Sequence, residues 1–338
     1  MPGHDIIVIG ASAGGVEALL ELVALLPAGL PAALFIVVHF PAQGKSILPD
    51  ILNREGHLHA APAQDNEVIK HGGIYIAPPD YHLLVKRGYI SLVQGPKENG
   101  TRPAVDPLFR TAAKAYSSRV VGVVLSGMLD DGTAGLIDVK RSGGVAVVQS
   151  PDEALFPGMP KSAIEHVDVD HILPVSEIAS ILVHLAHKPV VERDLTVSGQ
   201  SKIEPDIVEL DGVGLRNQGY PGTPSGFMCP DCGGGLFELH ERKLLQYRRR
   251  VGHAFSAATL LVEQATSQEE ALWAAIRSLE ERADLLHKMA SRARSGNHNL
   301  SAERFEAQAK LTLERSDLLQ QVLFQGQLPA MATPATYG

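Results

Sequence analysis

The stretch IIVIGASAGG, residues 6–15, decides the fold. Its first four residues form a continuous apolar run that ends at Gly10, and a helical pattern from Val16 to Leu26 follows. A short run that is apolar on both faces is typical of a strand covered by helices on both sides. The stretch therefore predicts a buried parallel strand, a tight glycine-rich turn and a helix.

The alternation of strand and helix patterns continues to about residue 186. Further two-faced apolar runs lie at 34–38, 120–125 and 145–148. Asp106-Pro107 predicts a helix start, because a short acceptor suits the N-cap and proline suits the first helical position. Residues 83–85 and 89–93 predict a β-hairpin that interrupts the alternation. We predict an α/β fold with a mostly parallel, doubly wound sheet and an inserted hairpin.

Composition and charge exclude several classes of protein. The 338 residues are 45% hydrophobic and 20% charged, with a mean hydropathy of +0.03, which is ordinary for a globular chain of about two domains. The net charge of −8, with both signs scattered, argues against a nucleic-acid partner. No apolar run approaches the roughly 18–20 residues that span a bilayer, and the first residues do not resemble a signal peptide. We expect a cytoplasmic protein without membrane insertion.

Changes of pattern divide the chain into segments. We predict an α/β domain at 4–186, a linker at 187–227, a Cys/Gly-rich module at 228–256, an antiparallel helical hairpin at 257–325 and a disordered tail at 326–338. Residues 272–293 carry apolar side chains at alternating spacings of four and three residues. This heptad pattern predicts a helix that packs along its length against another helix. Ser267 and Glu270 fit a capping box in front of that seam. The hairpin is expected to pack on itself or to dimerise.

The turn after the first strand contains a candidate nucleophile. Gly10 to Gly14 has the spacing Gly-x-Ser-x-Gly, in which small neighbours let a sharp turn raise the Ser12 hydroxyl above the sheet. The N-terminus of the following helix suits a developing oxyanion. Two other interpretations stay open: a phosphate cradle, which lacks either glycine-rich nucleotide fingerprint, and a simple tight turn.

Two more candidates follow strand ends. His39 comes directly after the run at 34–38, and Asp130 and Asp131 follow the run at 120–125. The carboxyl ends of parallel strands share one edge of a sheet, so a serine, a base and an orienting carboxylate could meet there. A structural histidine and a helix-capping aspartate are the alternatives. The chain order Ser, His, Asp also differs from that of α/β-hydrolases.

Six blocks together resemble the catalytic domain of the chemotaxis protein-glutamate methylesterases (CheB-type). They are GASAGG, VVHFP, IYIAPPDYHLLV, RPAVDPLF, LSGMLDDGTAG and the segment around PKSA, spread over residues 4–186. The resemblance implies that Ser12 is the nucleophile, His39 the base and Asp131, rather than Asp130, the orienting carboxylate. It also makes the backbone N–H of Met128 a candidate oxyanion donor.

The resemblance has two departures near the site. Ala13 stands beside the serine where many members carry threonine, and Leu129 stands where glycine is common. The usual fusion also begins with a receiver domain, whereas this sequence starts with the catalytic domain. We expect both changes of residue to reshape the site without removing the three reacting groups.

The Cys/Gly-rich module resembles the C-terminal extension of stand-alone methylesterases of this type. Cys229 and Cys232 have the C-x-x-C spacing of two tetrahedral zinc ligands, and His253 is a possible third. A cysteine often precedes Arg-x-Gly-His in that extension, but this chain has Arg249 there, and only His240 or Asp231 could complete the set. The favoured expectation is no metal, with a glycine-rich turn and two reduced thiols.

The resemblance to the CheB-type methylesterases implies an enzyme without a cofactor. It would hydrolyse γ-methyl esters of glutamate on a methyl-accepting chemotaxis receptor or a similar signalling protein, and deamidate glutamine through the same intermediate. Self-association through the C-terminal helices is a further expectation. The alternative from another class is a non-catalytic chemosensory adaptor, which would not need all three of Ser12, His39 and Asp131.

Overall fold

The predicted first strand lies at the centre of a parallel sheet. The computed structural model describes residues 3–39, 47–190, 222–239 and 244–325. The first strand, β1 (Ile6–Ala11), is buried throughout, and it pairs in parallel with β2 (Ala33–Val38) on one side. The remaining strands of the first half are β3 (His59–Pro62), β4 (Gly73–Ile76), β5 (His82–Val85) and β6 (Ile90–Val93).

The strand order of the sheet reverses beside β1, because the earlier strands lie on one side of it and the later strands on the other. The later strands are β7 (Val120–Val124), β8 (Val145–Gln149) and β9 (His171–Leu173). The order is β3-β4-β2-β1-β7-β8-β9, and every pair is parallel. Ligand sites on such sheets form where the order reverses, at the carboxyl ends of the strands. Here that point lies at the ends of β2, β1 and β7.

Helices cover both faces of the sheet. They are α1 (Gly15–Leu25), α2 (Leu48–Glu55), α3 (Val105–Tyr116), α4 (Thr133–Arg141), α5 (Gly158–His166) and α6 (Val175–His187). Side chains of β1 alternate between two cores: Val8 packs with residues of α3, α4 and α5, and Ile7 packs with residues of α1, α2 and α6. The antiparallel pair β5–β6 is the inserted hairpin. The predicted doubly wound α/β fold is confirmed.

The chain divides into two compact units, residues 1–260 and residues 261–338. The first unit includes a four-stranded antiparallel sheet of β10 (Thr223–Met228), β11 (Gly235–Leu239), β12 (Gln246–Arg249) and β13 (Ala254–Ser256). Its first strand begins inside the predicted linker, whose residues 191–221 lie outside the described chain, as does the predicted tail.

The predicted helical hairpin consists of α7 (Ala257–Ser295) and α8 (Asn299–Gln325). Within it, the ring of Trp273 lies edge-on to Phe324, with centroids 6.1 Å apart. The capping box expected at Ser267 is wrong, because α7 begins ten residues earlier and runs through that position. The cap is Ser256, whose Oγ accepts a hydrogen bond from the N–H of Thr259 at 3.0 Å. No helix among the described residues is long and apolar enough to cross a membrane.

Close packing at the end of β1 gives a first prediction. A Cβ on Gly10 would lie 2.3 Å from Cγ1 of Val105, at the start of α3, so Gly10→Ala forces the helix away from the strand. We expect the free energy of unfolding to fall by about 1–3 kcal/mol, as overpacking typically costs, measured by urea denaturation. Gly29→Ala is the control, since its Cβ meets nothing within 4 Å, and equal losses for both variants would contradict this account.

Candidate active site

Ser12 stands in the turn between β1 and α1. The turn is closed by a hydrogen bond from the N–H of Gly15 to the carbonyl of Ser12 at 2.9 Å, and Gly14 has the left-handed φ of 67° that this geometry requires. The N–H of Ser12 donates to the carbonyl of Ser126 at 3.0 Å, which fixes the turn to the end of β7. Ser12 itself is only partly buried, so a substrate can reach its hydroxyl.

His39 lies beside Ser12 because their strands are neighbours in register. Ala11 pairs with Val38, so the residue after each strand emerges at the same edge. Nδ1 of His39 lies 3.2 Å from Oγ of Ser12, and Nε2 lies 2.8 Å from Oδ2 of Asp131. The structure thus brings together three residues that are 27 and 92 positions apart in sequence.

Asp131 is a buried carboxylate with many donors. Its side chain is 3% exposed, and besides His39 it accepts from the N–H groups of Val105 (2.7 Å), Asp106 (3.2 Å) and Gly132 (3.0 Å), and from Nδ2 of Asn99 (3.0 Å). Burial alone would raise the pKa of Asp131, but the hydrogen bonds, led by that of His39, outweigh it and lower the pKa. The carboxylate is therefore ionised at neutral pH.

This carboxylate decides which nitrogen of His39 can act as a base. An ionised carboxylate only accepts hydrogen bonds, so Nε2 of His39 must carry a proton toward Asp131. In the neutral ring the other nitrogen, Nδ1, then holds the lone pair, and it faces the hydroxyl of Ser12. The arrangement is that of an activated serine with an oriented base.

Comparison with known proteins identifies the family of this chain. The family model described as CheB methylesterase matches residues 7–182, just over half of the chain. The chain belongs to the CheB methylesterase family. The family match confirms the enzyme class predicted from the six sequence blocks, a protein-glutamate methylesterase.

Three relatives illustrate the match. The crystal structure of the Thermotoga maritima CheB methylesterase catalytic domain is 37% identical and superposes with a TM-score of 0.52, covering 54% of this chain and 98% of that one. A Rhodospirillum rubrum protein named protein-glutamate methylesterase/protein-glutamine glutaminase 1 is 40% identical over 190 residues, 54% of this chain and 49% of the relative. A Leptospira interrogans protein, provisionally named for the same two activities, is 37% identical over 191 residues, 56% of this chain and 99% of the relative.

The two neighbouring aspartates, Asp130 and Asp131, have different hydrogen-bond partners. Nε2 of His39 contacts Asp131, whereas Oδ1 of Asp130 accepts from the hydroxyls of Ser256 (2.7 Å) and Thr259 (3.1 Å). Burial raises the pKa of Asp130, whereas that of Asp131 is lowered. The two side chains therefore serve different parts of the molecule.

The expected oxyanion donors lie close to the nucleophile. Gly127 packs against it, since a Cβ there would come within 2.9 Å of Cβ of Ser12. Within the described part of the chain, the backbone N–H groups of Ala13 and Met128 have no backbone acceptor. Both are thus available to a developing oxyanion at this edge of the sheet.

Sequence reasoning missed the residues that support Asp131. It expected Asp106 to cap its own helix, but α3 begins at Val105, and Oδ1 of Asp106 accepts instead from the N–H groups of Gly132 (3.1 Å) and Gly135 (2.6 Å) at the start of α4. Asn99, which carried no sequence signal beyond an Asn-Gly turn, donates to Asp131 and to Oδ2 of Asp106, at 3.0 Å each. Burial and the neighbouring Asp131 raise the pKa of Asp106 well above its ordinary value.

The three residues considered as possible zinc ligands lie together, and the side chain of Arg249 lies beside them. Donor atoms of Cys229, Cys232 and His253 are within 4.8 Å of one another. Burial raises the pKa of Cys229 to about 11, which keeps its thiol protonated. Burial would raise the pKa of Cys232 too, but hydrogen bonds from Gly234 and Arg249 outweigh it. A guanidinium beside the donor set repels a dication, and a structural zinc takes four ligands. Within the described residues, which do not include His240, only these three donors lie together, so the described donor set does not fit a structural zinc.

We therefore predict that the purified chain holds well under one zinc per molecule by elemental mass spectrometry. Arg249→Cys removes the guanidinium and adds a thiolate, so this variant should retain more zinc. Arg250→Cys, one residue along the chain, is the control for adding a thiol alone. Stoichiometric zinc in the unmodified chain would contradict the prediction.

Proposed function

We propose that this chain hydrolyses γ-methyl esters of glutamate side chains on a chemoreceptor-like protein, with Ser12, His39 and Asp131 as a catalytic triad. One observation carries the proposal: the row of hydrogen bonds from Ser12 Oγ to His39 (3.2 Å) and from His39 to Asp131 (2.8 Å). It lies at the strand ends where sites on such sheets form, in a chain of the CheB methylesterase family.

The geometry supports a two-step mechanism. Nδ1 of His39 takes the proton of Ser12 as Oγ attacks the γ-carbonyl carbon, and Asp131 stabilises the imidazolium through Nε2. The backbone N–H groups of Met128 and Ala13 hold the oxyanion. His39 then protonates the departing methanol, and a water molecule, activated by the same nitrogen, releases glutamate from the glutamyl-Ser12 ester. This route needs no cofactor.

Glutamine deamidation follows the same path with a different leaving group. The names of the Leptospira interrogans and Rhodospirillum rubrum relatives include protein-glutamine glutaminase. Attack on a glutamine γ-amide gives the same glutamyl ester, and His39 protonates departing ammonia instead of methanol. We include this activity in the proposal.

The surface around Ser12 suits a side chain on a folded partner. Met128 is 44% exposed, Leu155 69% and Phe156 38%. Leu155 lies over the serine turn, since a Cβ on Gly14 would be 2.8 Å from its Cβ. These apolar groups can contact residues flanking the modified glutamate of a methyl-accepting receptor, and we include a role in chemotaxis or related signalling in the proposal. The adaptor alternative gains no comparable support.

Self-association through the C-terminal helices also remains part of the proposal. Leu311, Leu318 and Val322 on α8 are 49%, 61% and 60% exposed. Their spacing of seven and four residues places them along one side of the helix, where a second copy could cover them. The predicted domain boundaries are also part of the proposal, with the catalytic domain at 4–186 and the helical hairpin at 257–325.

Ser12→Ala should abolish methanol release from a peptide that carries a glutamate methyl ester. Loss of a triad nucleophile costs on the order of 10⁴–10⁶ in rate. Ser142→Ala, between α4 and β8 at the opposite edge of the sheet, is the matched control and should keep full activity. A Ser12 variant that retains more than a tenth of the activity would refute the nucleophile assignment.

The two adjacent aspartates should differ sharply when each is changed to asparagine. Asp131→Asn removes the charge that stabilises the His39 imidazolium, and we expect kcat to fall on the order of 10³–10⁴-fold. Asp130→Asn keeps an oxygen for the hydroxyls of Ser256 and Thr259, and we expect a loss below about tenfold. Steady-state kinetics of the two variants decide the matter, and the reverse order would show that the roles are exchanged.

A further inference from the structure

The part of the chain that follows the catalytic domain contains a small module that cannot be stable by itself. We call residues 222–239 and 244–260 the C-terminal module; they lie outside the family match, which ends at residue 182. Its buried core consists of Cys229, Leu236, Tyr247, Phe255 and Leu260. A core of this size is too small to hold about 40 residues without a metal, a disulfide or a partner surface. The module therefore depends on its contacts with the catalytic domain, and both belong to one compact unit.

Backbone hydrogen bonds attach the module to the loop before α3. The N–H of Asn99 donates to the carbonyl of Ala254 at 2.7 Å, and the N–H of Ala254 donates to the carbonyl of Lys97 at 3.3 Å. Glu98 pairs with Ala254 as a parallel bridge and is 3% exposed. Burial would raise the pKa of Glu98, but the cations of Arg110 and of the module's Arg248 outweigh it and lower the pKa.

One side chain joins this attachment to the active site. Oδ1 of Asn99 accepts a hydrogen bond from the N–H of Ser256 at 3.0 Å, and Nδ2 donates to Oδ1 of Asp131 at 3.0 Å. Asn99 is 8% exposed, so these partners replace water. Asn99 also has a φ of 51°, a conformation that asparagine tolerates better than most residues. The side-chain amide of Asn99 thus connects the module to the carboxylate of Asp131 through two hydrogen bonds.

A second link holds the residue that precedes the triad carboxylate. Asp130 accepts from the hydroxyls of Ser256 (2.7 Å) and Thr259 (3.1 Å), and all three side chains are almost completely buried. Ser256 also caps α7. Both links end on the segment 130–131, one through Asn99 and one through Asp130.

We propose that the C-terminal module is a structural part of the catalytic site, and that Asn99 is a positioning residue through which the module holds Asp131 in line with His39. The module therefore supports activity and does not inhibit it. This inference rests on the proposed role of Asp131, but it adds the C-terminal module, which lies beyond the family match, and a role for Asn99.

The test uses the whole 338-residue chain. It separates an effect on the position of Asp131 from an effect on the stability of the fold. Asn99→Gly removes the amide without straining the left-handed backbone, and the double variant Ser256→Ala/Thr259→Val removes the two hydroxyls from Asp130. Asn66→Gly is the matched control for the first, since Asn66 has a φ of 60° and an exposed side chain. Ser225→Ala is the control for the second, because its hydroxyl bonds within the module, donating to the carbonyl of Leu236 and accepting from the N–H of Phe227.

We measure kcat and KM for the methyl-ester peptide, with active sites counted by a fluorophosphonate, so that unfolded molecules do not enter kcat. Asn99→Gly should lower kcat on the order of 10–100-fold and the double variant about 3–10-fold, as displacement of a reacting group does. KM should stay within about twofold, since no substrate contact changes. Both controls should keep the kcat of the unmodified chain.

The same substitutions in an Asp131→Asn background give the decisive readout. If Asn99 acts through the carboxylate, Asn99→Gly should cause little further loss there, because interacting residues are not additive. Unchanged kcat per active site in Asn99→Gly, a raised kcat in the double variant, or an undiminished loss in the Asp131→Asn background would each overturn the inference. Full activity of Asp131→Asn alone would instead refute the proposed triad, so the two failures are distinguishable.

Discussion

Two buried aspartates hold this site together, because each accepts hydrogen bonds from the N-terminal amides of the helix that belongs to the other. Asp131 precedes α4 but accepts the first N–H groups of α3, and Asp106 in α3 accepts the first N–H groups of α4. The amides at the start of α3 therefore donate to Asp131, and those at the start of α4 donate to Asp106. These bonds satisfy backbone amides that would otherwise be buried without partners. Since α3 packs against β1 and α4 packs against the neighbouring β7, these bonds fix Asp131 at the edge where Ser12 and His39 emerge.

This pattern of hydrogen bonds also separates the charge states of two neighbouring carboxyl groups. Burial and the charge of Asp131 raise the pKa of Asp106, whereas donors led by His39 lower the pKa of Asp131. Two carboxylates so close in a buried setting do not both ionise easily, and the one with more donors keeps the negative charge. The charge therefore stays on the group that faces His39, where it stabilises the imidazolium.

Sequence reasoning reached the parts of the site that follow from one local rule. Ser12, His39 and Asp131 each come directly after or shortly after a two-faced apolar run, and the carboxyl ends of parallel strands must share an edge. The choice between Asp130 and Asp131 came from the family resemblance alone, because the two are adjacent and follow the same strand.

The rest depends on partners that are distant in the chain. Asp106 looks like the cap of its own helix and serves α4, and Ser267 looks like a cap but lies within α7, whose cap is Ser256. Capping preferences are local, but which amide a side chain meets is set by packing between elements. For the same reason nothing in the sequence around Asn99 shows that it reaches both Asp131 and a strand more than 150 residues later.

The central claim, that Ser12 is acylated during turnover, can be tested by one measurement. Trypsin releases residues 1–45 as one peptide, because Lys45 is the first basic cleavage site, and Ser12 is the only hydroxyl-bearing residue within it. The enzyme is mixed with the glutamate methyl-ester peptide, quenched with acid during turnover, digested and examined by mass spectrometry. Our account predicts an adduct of the substrate less methanol on residues 1–45. Turnover accompanied by an adduct on any other peptide would contradict it.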